Sequence, residues 1–122
     1  MKDNNVIVEK SKAFAVRIVR LFKFLNLNKN ELVLSKQLLR SGTSIGANVK
    51  EAIRGYSKAD FSFKMNIALK EASETEYWLE ILHESDYLTD EQFKSLYVDC
   101  EELIKLLTSI VKTANIDSTL LP

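Results

Sequence analysis

The segment RSGTSIGANVKEA, Arg40–Ala52, places two glycines, two serines, a threonine and an asparagine between stretches rich in leucine, lysine and glutamate. Composition reads it as a loop, whereas spacing reads it as the middle of a helix. At helical periodicity Leu34, Leu38, Ser41, Ile45, Asn48 and Ala52 form one row, and Leu39, Gly42, Gly46, Val49 and Ile53 form the adjacent one. The small residues thus fall in the centre of the apolar face. Gly42 and Gly46 remove side chains where a neighbouring helix crosses, leaving room for a bulky residue such as Phe61 or Trp78. Each glycine costs about 1 kcal/mol of helix propensity relative to alanine, a cost that only contacts of the folded state offset. A phosphate-binding loop requires G-x-x-x-x-G-K-[ST] after a strand. Here the glycines of GTSIG are one residue too close, no lysine follows, and no strand precedes.

Outward from this segment, the chain reads as helices throughout. It has three glycines and one proline, the last residue, so the punctuation of hairpins and βαβ units is missing. A first helix is expected over about 8–27, where Phe14, Ile18, Leu21 and Leu25 recur on one face, widened by Ala15 and Phe22. The asparagine-rich NLNKN then breaks the pattern, with Asn30 expected to cap a second helix over 31–54. Ser57 and Asp60 make a box-like start for a third helix, 58–85, with Phe61, Met65, Ala68, Ala72, Thr75, Leu79 and Leu82 on its seam. TDEQ, Thr89–Gln92, is a second capping box, with acids in the first turn, opening a fourth helix over 90–115. In it Phe93, Leu96, Cys100, Leu103, Leu107, Ile110 and Ala114 hold a/d positions, and the tail beyond Asn115 is expected to fray. Four helices of about 30–37 Å with short polar connections give an all-α, antiparallel up-down-up-down four-helix bundle as one domain, 1–122.

A chain of 122 residues is long enough to bury a core without staples. One cysteine and one histidine exclude an internal disulfide and a Cys/His zinc cluster within the chain. This pattern is that of a reduced, cytoplasmic protein, and the N-terminus does not resemble a signal peptide. No apolar run approaches the roughly 18 residues that span a bilayer. Glu80 and His83 match the Glu-x-x-His of di-iron bundles, but that chemistry needs the motif twice together with further glutamates. With a single histidine, they read as an exposed acid and a dipole-compatible residue near a helix end. Cys100 lies among leucines, where burial keeps a thiol protonated and inert. No catalytic site, cofactor, metal or small-molecule substrate is implied.

Two features exceed what a monomeric bundle requires. Val16, Val19, Tyr77, Trp78, Tyr97, Ile104, Leu106 and Val111 broaden the apolar seams, which predicts self-association. The charge is also segregated, although 17 basic and 17 acidic residues cancel: residues 1–64 hold 13 Lys/Arg against five Asp/Glu, and residues 65–122 hold four against 12. Either the halves neutralise one another, within or between subunits, or the basic half presents a surface to nucleic acid or an acidic partner. For the second reading the candidate residues are Arg17, Arg20, Lys36, Arg40, Lys50 and Arg54, with Tyr56 and Phe63 near enough in sequence to stack on bases, Phe63 being the better candidate for the core.

QLLRSGTSIGANVKEA followed by SKADFSFKMNIALKEASETEYWLEIL resembles the family of four-helix-bundle proteins encoded in intervening sequences of bacterial 23S ribosomal RNA genes, over about Val8–Lys112. The resemblance implies homopentameric rings of up-down bundles. It implies similarity to the basic accessory proteins of diversity-generating retroelements, which associate with a reverse transcriptase and nucleic acid. It supplies no catalytic residue. Gly46 and Ala52 stand where many relatives have proline and glycine, which implies a straighter second helix here. The combined expectation is a non-enzymatic homo-oligomeric scaffold or adaptor that binds RNA through the six basic residues. The alternative is a protein-interaction module whose apolar grooves accept a partner helix.

Overall fold

A computed structural model of the chain describes the backbone of residues 2–120 and the side chains of residues 5–114. The order is α1 (Lys2–Lys29), α2 (Val33–Ile53), α3 (Lys58–Glu84) and α4 (Asp90–Leu120). Neighbours in sequence are neighbours in space: α2 packs on α1 and α3, α3 on α4, and α1 closes more sparsely on α4. The architecture is an all-α four-helix bundle, with α1 and α4 longer than their apolar patterns indicate. The fraying expected beyond Asn115 is not seen as far as Leu120, and residues 121 and 122 lie outside the described residues.

Arg40–Ala52 is continuous helix. The apolar rows converge on one core, in which Phe14, Ile18 and Leu25 of α1 meet Leu38, Ile45 and Val49 of α2, Met65, Leu79 and Leu82 of α3, and Leu103 and Leu107 of α4. The glycines serve a different neighbour from the one expected. A Cβ on Gly42 would lie 2.9 Å from both γ-carbons of Ile18, and one on Gly46 would lie 3.3 Å from the carbonyl oxygen of Ser11. It is α1 that occupies the space, not Phe61 or Trp78. The α3 side of α2 is served by Ser41 instead. Its hydroxyl lies 2.9 Å from Thr75 Oγ1, which is itself 2.8 Å from the carbonyl oxygen of Glu71, so these buried hydroxyls have partners.

The helix ends show which local chemistry prevails. Ser57 caps α3 by accepting from the backbone N–H of Asp60 at 3.1 Å. Thr89 and Gln92 bond reciprocally, at 3.2 and 2.9 Å, ahead of α4. Asn30 does not cap α2. With φ at 53° it takes the left-handed conformation that turns the chain out of α1, a conformation asparagine tolerates better than most residues. Glu31 does the capping: its carboxylate accepts from the N–H groups of Leu34 and Ser35 at 2.7 and 2.8 Å. Asp86 plays the part of Asn30 after α3, with φ at 67° and a 2.9 Å bond from the N–H of Tyr87 to the carbonyl of Leu82.

The expected breadth of exposed apolar surface is also corrected. Val16, Val19 and Tyr77 are exposed, but Val111 is buried and Trp78, Tyr97, Ile104 and Leu106 pack against the core. Phe63, read as a core residue, is 63% exposed. No helix among the described residues is long and apolar enough to cross a membrane.

Candidate nucleic-acid interface

The bundle does not gather the six basic candidates on one face. Arg17 is stitched to α4: one guanidinium nitrogen donates to Asp99 at 2.7 Å and to the Ser95 carbonyl at 3.1 Å, and the other to Ser95 Oγ at 2.8 Å. Arg20 lies in the same α1–α4 depression, of about 470 Å³, which Glu91 also lines. Arg40 crosses to α3, where it pairs with Glu71 at 2.8 Å and also with Glu74. The Trp78 indole N–H bonds Glu74 at 2.9 Å. The indole and the guanidinium together hold the Glu74 carboxyl below the usual carboxylate range, and the carboxylates raise Arg40 in turn. Lys10 adds a 2.7 Å pair to Glu102. Each of these bridges joins a cation of the first half to a carboxylate of the second, so part of the charge segregation is neutralised within the molecule. Lys36 stands near the start of α2, about 21 Å along the helix from Lys50.

Lys50 and Arg54 are placed differently. The last two turns of α2 form a ridge between two adjoining depressions that share Ala47, Lys50 and Arg54. The first, about 460 Å³ between α1 and α2, exists because Ala15, Gly46 and Ala47 have little or no side chain. Val8 and Ile53 add apolar walls, and Lys12 stands with Lys50 and Arg54 around it. The second, about 590 Å³, lies over the α2–α3 turn between Lys50, Arg54, Tyr56 and Lys64. Two carboxylates also line it: Glu51, held by Lys64 at 2.9 Å, and Asp60, in the first turn of α3 where the helix dipole favours an acid. Tyr56 is fully solvent-exposed at 101%. Among the described residues Lys12, Lys50 and Arg54 have no ion-pair partner.

Sequence reasoning missed Lys12. Its proximity to Lys50 follows from the α1–α2 register, which the seating of Gly46 on Ser11 fixes. A small residue on each helix carried that signal, but only an antiparallel alignment converts it into a pairing.

The acidic side of the bundle has its own order. Glu80 is not the exposed acid expected; it accepts from the Tyr97 hydroxyl at 2.9 Å. His83 Nε2 lies 2.7 Å from Asp90, and its ring stacks on Phe93 at 4.2 Å. The two side chains of the Glu-x-x-His pair therefore serve separate contacts. Glu76 shares a hydrogen bond with Glu101, and that bond, burial and the neighbouring charge push its carboxyl up to about 7. Burial pushes the Cys100 thiol up to about 12, and its Sγ lies 3.4 Å from the Ala72 carbonyl. Among the described residues no group of three or more His, Cys, Asp and Glu is placed to hold a metal.

Comparison with known proteins agrees with the architecture. A crystal structure of a protein of unknown function from the S23 ribosomal protein family of Bacteroides thetaiotaomicron VPI-5482 shares 58% identity over 90% of this chain and 98% of its own, with a TM-score of 0.89. No curated protein matches the chain. The family described as 23S rRNA-intervening sequence protein matches residues 3–109, nearly the whole bundle. The chain belongs to the 23S rRNA-intervening sequence protein family.

Proposed function

We propose that the protein is a non-enzymatic, cytoplasmic, self-associating helical scaffold that binds RNA at the ridge formed by the end of α2. One observation carries this reading. Lys50 and Arg54 line both adjoining depressions and Lys12 the one between α1 and α2, and none of the three has an ion-pair partner among the described residues. Cations without carboxylate partners are those that release phosphate counterions on binding. Of the six basic residues named from the sequence, Lys50 and Arg54 are the contacts, while Arg20 and Lys36 stand away from the ridge. Arg17 and Arg40 serve as clamps between helices.

Self-association is supported by Val16 and Val19 on α1, Tyr77 on α3 and Val98 on α4, all exposed outside the core seams. The resemblance to ring-forming relatives makes a homopentamer the expected assembly. Light scattering that finds a monomer at micromolar concentration removes this part.

The test of RNA binding is retention of labelled RNA on filters at about 50 mM salt, followed by a salt titration. About three phosphate contacts on a single strand predict a slope of log affinity against log salt near −2. Absence of retention at low salt rejects the reading. The apolar floor of the α1–α2 depression favours a second reading, docking of an amphipathic helix from a protein partner such as a reverse transcriptase. Charge reversal at Lys50 and Arg54 separates the two, because loss of the cations ends RNA binding and leaves an apolar contact in place.

A further inference from the structure

We infer that the ridge selects single-stranded over duplex polynucleotide, with Tyr56 as a stacking platform for one base and the α1–α2 depression as the seat of a neighbour. The inference rests on the RNA-binding reading and goes beyond it by naming the form of nucleic acid and the residue that discriminates.

An aromatic ring exposed at 101% contributes nothing to the core, and Tyr56 forms no ring pair among the described residues. It follows Gly55 at the depression lined by Lys50 and Arg54. Ring and cations therefore meet at one place. On the other side of the ridge, the depression walled by Val8, Ala15, Gly46, Ala47 and Ile53 is apolar at its floor and cationic at its rim. A single strand alternates the same two chemistries, flat apolar bases and anionic phosphates. With its phosphate on Lys50 and Arg54, a strand crossing the ridge has one base toward Tyr56 and the next toward the apolar floor. Glu51 does not oppose it, since Lys64 neutralises that carboxylate at 2.9 Å. Asp60, in the first turn of α3, lines only the depression over the α2–α3 turn, which disfavours a phosphate there and keeps the backbone on the ridge.

A duplex cannot use these features. Its bases are stacked on one another, so it offers Tyr56 no free face and the depression no base. Only phosphate contacts remain. Stacking on an aromatic side chain is tolerant of base identity, so the site is expected to be weakly sequence-selective.

The test is fluorescence anisotropy with the full-length protein and a labelled 12-nucleotide RNA, the DNA of the same sequence, and the RNA annealed to its complement, each at about 50 mM salt. The expected result is at least tenfold tighter binding of both single strands than of the duplex. Tyr56→Ala removes that preference by weakening the single strands about tenfold or more, Tyr56→Phe retains it, and duplex affinity is unchanged in both variants. A circular-dichroism melt checks that Tyr56→Ala leaves the fold intact. Equal affinity for single strand and duplex, or indifference of the single strands to Tyr56→Ala, overturns the stacking inference. If salt-sensitive binding that Lys50→Glu/Arg54→Glu abolishes persists in that case, the RNA reading stands without it. No binding of any form overturns both.

Discussion

Arg40 lies within α2 and Arg54 at its C-terminal cap, fourteen residues on, and the molecule uses them in opposite ways. Around Arg40 the helix is clamped: its guanidinium reaches Glu71 and Glu74 on α3, Ser41 meets Thr75, and Gly42 sits where a methyl group would collide with Ile18. Around Arg54 the helix is open. Gly46 and Ala47 leave a depression, and Lys50, Arg54 and Lys12 have no ion-pair partner among the described residues. A basic residue is an available charge only where no carboxylate of the seam it faces pairs with it. That distinction separates the structural cations Lys10, Arg17 and Arg40 from those of the ridge.

The largest effect belongs to the open half. Reversing both ridge charges, Lys50→Glu/Arg54→Glu, is expected to weaken RNA binding by at least about 100-fold at low salt, because two favourable phosphate contacts become repulsive. Its thermal melt should stay close to that of the parent, since both side chains are exposed. Filter binding and a melt on the same sample check both halves of the statement.

The clamped half predicts a stability effect instead. Gly42→Ala places a Cβ 2.9 Å from Ile18, a side chain with no exposed surface and no freedom to withdraw. Overpacking typically costs about 1–3 kcal/mol and the gain in helix propensity returns about 1 kcal/mol, so a net loss of up to about 2 kcal/mol is expected by urea denaturation. Gly46→Ala sharpens the comparison. Its Cβ would stand 3.3 Å from the Ser11 carbonyl oxygen, a tight contact rather than the 2.9 Å collision at Gly42, so its cost is expected to be below that of Gly42→Ala. Equal costs at the two glycines would show that the two halves of α2 are packed alike.

Arg40→Ala is expected to lower stability by about 1 kcal/mol, because Glu71 and Glu74 then lose their cation on a partly exposed surface. RNA affinity should change by less than about threefold. A large loss of affinity on Arg40→Ala would erase the division between clamp and ridge.

The smallest effect is a pH dependence. The folded-state pKa of Glu76 lies near 7, above its ordinary value of 4.5, so the protonated carboxyl is the form the fold favours. Its contribution is fully present below about pH 4.5 and is lost as pH rises through about 7. Glu76→Gln, which keeps a hydrogen bond to Glu101 without the charge, should therefore gain about 1 kcal/mol over the parent at pH 8 and nothing at pH 4. Denaturation midpoints at the two pH values measure this, and RNA affinity should not follow them.

Much of the fold was legible in the sequence because it depends on local periodicity. The rows through Phe14–Leu25, Leu38–Ala52, Met65–Leu82 and Leu96–Ile110 are the core, and the Ser57 and Thr89 caps form as their spacing indicates. Features that depend on register were not legible. Asn30 has the composition of a cap, yet the left-handed turn needed that residue and Glu31 reached the helix end in its place. That Ile18 rather than Phe61 fills the gap at Gly42 depends on which neighbour α2 crosses most closely. The candidate interface was legible only in part for the same reason: a list of cations does not reveal which of them face Asp99, Glu71 or Glu74.

The most direct test is the salt dependence of RNA binding in two double variants, Lys50→Ala/Arg54→Ala and Arg17→Ala/Arg40→Ala, measured beside the parent. If the ridge carries the phosphate contacts, the first variant flattens the slope of log affinity against log salt by about 1.4 and the second leaves it unchanged. A slope flattened by the second variant and preserved in the first would contradict the account.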